Sequence, residues 1–125
     1  MKILLIDDDE NIQSLFKYNF KKEIRDGSLT FYFAFSAFEA LNLFVEEGLS
    51  DISLVISDIS MPGMTGFELL KIIKRKIPDI KFFIISGYGR KKNELQAIKN
   101  GADVFFSKPL DFNKLKDEIM NISGS

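Results

Sequence analysis

Cysteine and histidine are both absent from the 125-residue chain. Without cysteine there is no disulfide scaffold and no thiolate metal site. Without histidine there is no imidazole ligand and no Ser-His-Asp or Cys-His catalytic system. Any metal must therefore be held by oxygen atoms, which favours Mg²⁺, Ca²⁺ or Mn²⁺.

Long apolar runs are missing as well. No stretch approaches the roughly 18 uncharged apolar residues that a membrane span needs. The apolar run Ile3–Ile6 ends directly at three aspartates, so we expect no signal peptide, no membrane contact and a cytoplasmic location. The net charge is only −1, so we expect no direct contact with nucleic acid. Residues 1–125 have the length and the hydrophobic content of a single globular domain.

Strand-like and helix-like segments alternate from one end of the chain to the other. Short apolar runs predict five strands, at Lys2–Ile6, Leu29–Phe35, Ile52–Ser57, Lys81–Ile85 and Val104–Phe106. Helical spacing predicts five helices, namely Asn11–Ile24, two that begin at the capping boxes of Ser36 and Thr65, Lys91–Asn100, and one capped by Asp111. Strict alternation of this kind predicts a doubly wound α/β domain with a parallel sheet and helices on both faces.

Two predicted helices differ in their apolar content. In the first helix, one stripe contains Ile12, Leu15, Phe16, Phe20 and Ile24. The fourth helix, Lys91–Asn100, is short and polar, and the apolar residues it offers for burial are Leu95, Ala97 and Ile98. Because it has little to bury, we expect this helix to be the movable element of the domain.

Acidic and polar side chains follow the predicted strands at the points where they end. Asp7 and Asp8 follow the first strand, Asp58 the third, Ser86 the fourth and Lys108 the fifth. Ligands of such sheets bind beyond the carboxyl ends of the strands. In a strand order of 2-1-3-4-5 the three aspartates converge at one rim, where their mutual repulsion requires a cation or a proton. A small hard cation such as Mg²⁺ is the natural partner.

This set of groups suits phosphoryl transfer, which needs a nucleophile, charge neutralisation and positioning. A carboxylate can be the nucleophile and form an aspartyl phosphate. Asp58 is the candidate, and Ser86 and Lys108 add a hydroxyl donor and a cation. For Asp9 we favour a helix cap over metal ligation.

Four segments resemble the motifs of response-regulator receiver domains, the phosphoacceptor domains of two-component phosphorelay signalling. The segments are Ile3–Glu10, Val55–Gly66, Phe82–Gly87 and Phe105–Pro109. They follow one another in the family's order and at its spacing, and the resemblance covers essentially the whole chain. It implies a flavodoxin-like (βα)5 fold with strand order 2-1-3-4-5.

The resemblance also implies roles for individual residues. Asp58 would accept a phosphoryl group from the phosphohistidine of a sensor histidine kinase or histidine phosphotransfer protein. Mg²⁺, with Mn²⁺ as a substitute, would be held by Asp7, Asp8 and Asp58 and by the backbone carbonyl of Ser60. Lys108 would pair with Asp58 and then with the phosphoryl oxygens.

Further implied roles concern the switch. Ser86 would donate its hydroxyl to the phosphoryl group, and Phe105 would change rotamer in response. The surface of residues 91–122 would then change shape and engage a downstream output domain or protein, or a second copy in a homodimer. The Lys108–Pro109 bond would be cis. Ser60 and Tyr88 would tune hydrolysis, and we expect bulky Tyr88 to hinder the attacking water.

Two other function classes fit parts of the pattern. A Mg²⁺-dependent phosphohydrolase also uses an aspartate nucleophile after its first strand, which Asp7 and Asp9 superficially match. A non-catalytic binding module for FMN or a protein would share the fold, but no Gly-rich or Ser/Thr-rich phosphate loop follows the first strand. We therefore expect a phosphoacceptor that promotes only its own phosphorylation and dephosphorylation, rather than an enzyme acting on another substrate.

Overall fold

The structure, a computed structural model, describes residues 1–46, 51–87 and 90–123. In these residues strands and helices alternate along the chain. The strands are β1 (Lys2–Ile6), β2 (Thr30–Ala34), β3 (Leu54–Asp58), β4 (Lys81–Ser86) and β5 (Val104–Ser107). The helices are α1 (Glu10–Asn19), α2 (Lys21–Arg25), α3 (Ala37–Glu46), α4 (Gly66–Lys76), α5 (Arg90–Lys99) and α6 (Phe112–Ser123). Over the same residues, no helix has both the length and the apolar character needed to cross a membrane.

The five strands form one parallel sheet in the order β2-β1-β3-β4-β5. This confirms the predicted fold class and strand order. Alternate residues of β1 point to opposite faces, so Leu4 and Ile6 belong to one buried cluster while Ile3 and Leu5 belong to the other. Every residue of β3 is buried, as expected of a central strand covered by helices on both faces.

Helices cover both faces of the sheet. One buried cluster combines the sheet with α3, α4 and α5, and the other combines it with α1 and α6. In the second cluster the ring of Phe16 contacts that of Phe112 in α6 at a centroid distance of 5.3 Å. Such packing holds the strands in a rigid layer, which fixes the positions of the side chains at their carboxyl ends.

The predicted helix Asn11–Ile24 is wrong in one respect, because the structure divides it into α1 and α2. The break lies at Phe20, which has φ −108° and ψ 19° and ends α1. The side chain of Phe20 is fully buried, whereas Leu15 and Ile24 are 46% and 39% exposed. The apolar spacing thus continues past the point at which the chain leaves the core, and it does not detect the turn.

The predicted buried residues of α5 are also corrected by the structure. Leu95 is 73% exposed and Ile98 is 57% exposed, while Ala97 is fully buried. Asn93 lies one helical turn before Ala97 and points to the same side, so this face of α5 meets the sheet. Leu95 lies two positions from Asn93, on the other side of the helix.

The capping box predicted at Thr65 is complete, and of the box predicted at Ser36 the structure shows the bond to the Ser36 hydroxyl. The Thr65 hydroxyl accepts a hydrogen bond from the Glu68 amide, and the Glu68 carboxylate accepts one in return from the Thr65 amide. The Ser36 hydroxyl accepts from the Glu39 amide at 3.1 Å. The Asp111 carboxylate accepts from the backbone amide of Asn113 at 3.0 Å. These bonds satisfy amides that the first turn of a helix leaves without partners.

Candidate functional site

The carboxyl ends of β1, β3 and β5 bring three carboxylates and one ammonium together. The Lys108 Nζ atom lies 3.4 Å from Asp58 Oδ2 and 3.5 Å from Asp7 Oδ2. Side-chain oxygens of Asp7, Asp8 and Asp58 lie within 4.8 Å of one another. The four charged residues that the sequence singles out at the strand ends therefore meet at one rim of the sheet.

Backbone pairing continues past the strand ends and holds these positions. The Asp7 amide donates to the Ala34 carbonyl at 3.1 Å, which extends the pairing of β1 with β2. The Lys108 amide donates to the Ser86 carbonyl at 2.8 Å and links the end of β5 to the end of β4. Because main-chain bonds fix the Cα positions, adjustments of the site fall mainly to its side chains.

Two of the three carboxylates are buried. Asp7 is 1% exposed and Asp58 is 6% exposed, while Asp8 is exposed to solvent. Burial raises the pKa of Asp7 to about 6, although the Asp9 amide donates to its Oδ1 atom at 2.9 Å and opposes the rise. Burial likewise raises the pKa of Asp58, against the attraction of Lys108. Both carboxylates are thus costly to charge where they stand.

Lys108 partly neutralises this pair. Its side chain is half-buried, and burial works against its charged form, yet attraction to Asp58 and Asp7 prevails and the pKa of Lys108 is raised. The ammonium therefore stays charged at neutral pH. With three carboxylates and one ammonium, the rim has an excess of negative charge when all four groups are ionised.

The residues fit a divalent cation. Asp7 Oδ2 is buried and has no hydrogen-bond partner among the described residues. Lys108 Nζ, 3.5 Å away, makes an ion pair with it that is too long for a good hydrogen bond. Mg²⁺ prefers oxygen ligands and is bound in proteins by one or two carboxylates. The gathered oxygens of Asp7, Asp8 and Asp58 are ligands of that kind.

Ser86 lies at the end of β4 and is 4% exposed. Its hydroxyl oxygen accepts a hydrogen bond from the side-chain amide of Asn93 in α5 at 3.1 Å. Asn93 was not among the predicted site residues. Its signal in the sequence is positional, because Asn93 is a polar residue on the side of α5 that also carries buried Ala97.

The structure describes the predicted residues Ser60, Phe105 and Lys108–Pro109, but not Tyr88. Ser60 is exposed, and its backbone amide hydrogen-bonds to the Asp58 carboxylate. Phe105 is partly buried against the cluster that includes α3, α4 and α5. The Lys108–Pro109 peptide bond is cis, as expected. Tyr88 lies outside the described residues.

Asp9 caps α1, as the sequence predicts. Its carboxylate accepts a hydrogen bond from the Asn11 amide at 2.9 Å. This role engages the Asp9 carboxylate at the start of α1, and the carboxylates that gather at the rim are those of Asp7, Asp8 and Asp58. The arrangement weakens the phosphohydrolase alternative, which needs Asp9 beside Asp7.

Gly66 packs the start of α4 directly onto the segment that carries Asp58. The Gly66 amide donates to the Ile59 carbonyl at 2.9 Å. A Cβ atom at this position would overlap the carbonyl oxygen of Asp58 and lie 3.0 Å from the Ile59 Cα atom. Only glycine allows this approach, and Gly66 was not among the predicted site residues.

Gly66→Ala is therefore expected to lower the free energy of unfolding by about 1–3 kcal/mol, because the clash involves backbone atoms that cannot rotate away. The better helix propensity of alanine opposes this by about 1 kcal/mol at most. Gly87→Ala is the control, since its Cβ would lie 3.8 Å from Lys108 Cδ, an ordinary contact. Urea denaturation measures both variants, and equal midpoints would refute the packing role.

Comparisons with known proteins agree with this geometry. A family model described as the response regulator receiver domain matches residues 3–120. Sporulation initiation phosphotransferase F of Bacillus subtilis is 33% identical over 118 residues, which cover 94% of this chain and 90% of that protein. Other curated relatives are longer, and the chain spans 23% of their length.

Solved structures extend the similarity. A response regulator receiver domain protein from Clostridium thermocellum is 31% identical, with a TM-score of 0.85 and coverage of 97% of this chain and 92% of that one. The response regulator protein TrrA of Thermotoga maritima, solved in complex with Mg²⁺-BeF, is 29% identical with a TM-score of 0.76, and 97% of each chain is covered.

Proposed function

The chain belongs to the response regulator receiver domain family, and we propose that its Asp58 accepts a phosphoryl group from a phosphohistidine. The observation that carries this proposal is the meeting of three carboxylates and Lys108 at one rim of the sheet. A sensor histidine kinase or a histidine phosphotransfer protein would supply the phosphohistidine, since receiver domains interact with proteins of these classes.

The transfer step exchanges one bond for another. A carboxylate oxygen of Asp58 attacks phosphorus, the bond from phosphorus to the histidine nitrogen breaks, and that nitrogen keeps the electron pair. Lys108, 3.4 Å from Asp58 Oδ2, is placed to follow the charge from the carboxylate to the phosphoryl oxygens. Hydrolysis by water then returns the carboxylate and releases phosphate.

Mg²⁺ is the cofactor we propose, with Mn²⁺ as a substitute. Asp7, Asp8 and Asp58 would hold it, together with the backbone carbonyl of Ser60. The cation would neutralise charge on the phosphoryl oxygens and offset repulsion among the carboxylates. The buried Asp7 Oδ2 atom, which makes no hydrogen bond among the described residues, supports this assignment.

The output of the domain is proposed to run through Ser86 and Phe105. The Ser86 hydroxyl would donate to the new phosphoryl group, and Phe105 would repack in the space that Ser86 leaves. The surface of residues 91–122 would then engage an output domain or protein, or a second copy of the chain. Exposed Leu95 and Ile98 support a docking role for this surface.

Several expectations from the sequence stay predictions. These are the influence of Ser60 and Tyr88 on hydrolysis, the lack of activity on other substrates, the lack of contact with nucleic acid, and the cytoplasmic location. The capping of α1 by Asp9 supports the expected lack of activity on other substrates, because it engages a residue that a phosphohydrolase of this kind would use.

The proposal predicts that incubation with Mg²⁺ and acetyl phosphate adds one phosphoryl group to the protein. Because the product is an acyl phosphate, the added group should survive brief acid treatment and be released by hydroxylamine. Intact-mass spectrometry before and after hydroxylamine measures both properties. The same incubation with a chelator in place of Mg²⁺ is the control and should leave the mass unchanged. An unmodified protein in the presence of Mg²⁺ would refute the proposal.

A further inference from the structure

The hydrogen bond between Asn93 and Ser86 connects α5 to the phosphoacceptor pocket. We propose that Asn93 is a positioning residue that holds Ser86 on the α5 side in the unphosphorylated domain, and that this bond is given up on phosphorylation. The inference rests on the proposed function, since it concerns how Ser86 responds to a phosphoryl group on Asp58.

The hydrogen bond from Asn93 to Ser86 is important because α5 has few apolar contacts with the sheet. Among the α5 side chains that the structure describes, Ala97 is the only fully buried one, and a methyl group buries little apolar area. The side-chain amide of Asn93 donates to the Ser86 hydroxyl at 3.1 Å, in a partly buried environment. A polar contact therefore contributes much of what orients this face of the helix toward the pocket.

The main chain of Ser86 is held in the sheet and does not move with the side chain. Ser86 pairs with Ser107 in β5, and the Ser86 carbonyl accepts a hydrogen bond from the Lys108 amide at 2.8 Å. The movement of the hydroxyl toward a phosphoryl group is therefore a rotation about χ1. A rotation between staggered positions moves Oγ by about 2 Å, which is enough to break the 3.1 Å bond to Asn93.

A bond made only in the unphosphorylated state opposes the switch. Asn93→Ala removes this bond and should therefore favour the activated state. The expected gain is that of one partly buried neutral hydrogen bond, which corresponds to a factor of roughly two to ten in the equilibrium constant. The measurable quantity is the dissociation constant for beryllofluoride in the presence of Mg²⁺, used here as a stand-in for the phosphoryl group.

We expect the dissociation constant of Asn93→Ala to be roughly two- to tenfold lower than that of the wild type. Gln96→Ala is the matched control, because it removes an exposed amide side chain from the same helix and should leave the constant unchanged. An unchanged or higher constant in Asn93→Ala overturns the inference.

A double-mutant cycle separates this role from a general effect on helix stability. In the Ser86→Ala background the Asn93→Ala substitution should change the constant by less than about twofold, since the Ser86 hydroxyl to which Asn93 donates is already gone. If the full effect persists without the Ser86 hydroxyl, Asn93 acts through another contact and the inference is wrong.

The side-chain NMR signals of Asn93 report on this hydrogen bond directly, both without a ligand and with beryllofluoride. The side-chain NH₂ signals of Asn93 in a ¹⁵N-labelled sample should shift in Ser86→Ala without any ligand, and should shift in the wild type on adding Mg²⁺ and beryllofluoride. Signals that move in neither case overturn the inference. If the wild type binds no beryllofluoride and accepts no phosphoryl group, the proposed function falls first, and the inference with it.

Discussion

Asp58→Asn is expected to abolish phosphoryl acceptance, with no mass added after incubation with Mg²⁺ and acetyl phosphate. An asparagine amide has nearly the shape of the carboxylate, but it carries no negative charge and forms no acyl phosphate. Asp58 is 6% exposed at the end of β3, and an amide fits the same space, so the variant should still fold. Intact-mass spectrometry, with circular dichroism as a check of folding, measures the outcome.

Asp111→Asn provides the matched control for this substitution. The Asp111 carboxylate caps α6 by accepting from the Asn113 amide at 3.0 Å, and asparagine caps helices about as well as aspartate. This variant should therefore be phosphorylated like the wild type. An Asp58→Asn protein that still gains a hydroxylamine-labile phosphoryl group would mean that Asp7 or Asp8 is the acceptor.

The site could be predicted from the sequence because its residues sit at strand ends. Parallel strands bring their carboxyl ends to one edge of the sheet. The sequence alone therefore predicts that each acidic or basic residue directly after an apolar run lies at that edge. Asp7, Asp58 and Lys108 are located in this way, and Lys108 Nζ lies 3.5 Å from Asp7 Oδ2 and 3.4 Å from Asp58 Oδ2. The strand order that completes the argument came from the resemblance to receiver domains and is confirmed by the sheet.

The parts that escaped prediction depend on packing between elements distant in sequence. At the break, the buried ring of Phe20 packs against Phe31 and Phe112 at centroid distances of 5.2 and 6.2 Å. Periodicity within one segment contains no information on those partners. The orientation of α5 escaped for the same reason, since apolar Leu95 faces solvent while polar Asn93 bonds to Ser86.

Asp7→Asn is expected to raise the free energy of unfolding of the metal-free protein at pH 7 by about 1–3 kcal/mol. Burial raises the pKa of Asp7 to about 6, whereas an aspartate in an unfolded chain titrates near about 3.9. Between these values the native state holds a proton that the unfolded state has released. The contribution of the Asp7 carboxyl to the free energy of unfolding is therefore fully present below about pH 4 and is lost as the pH rises through about 6.

Asparagine carries no charge to bury, so the variant should lack this loss. Urea denaturation in a chelator at pH 5 and pH 7 measures the difference between the two proteins. Asp26→Asn is the control of opposite sign, because hydrogen bonds from the side chain and backbone of Ser28 lower the pKa of exposed Asp26. Replacing that carboxylate should not stabilise the protein.

Magnesium should reverse the ranking of the two proteins. A ligand that binds only the native state stabilises it by about 2.7 kcal/mol at 100 times its Kd, and Asp7→Asn removes a carboxylate that would hold the ion. Saturating Mg²⁺ should therefore stabilise the wild type at pH 7 much more than the variant. If the two proteins are equally stable without metal and respond equally to it, the buried charge of Asp7 is not what the cation neutralises.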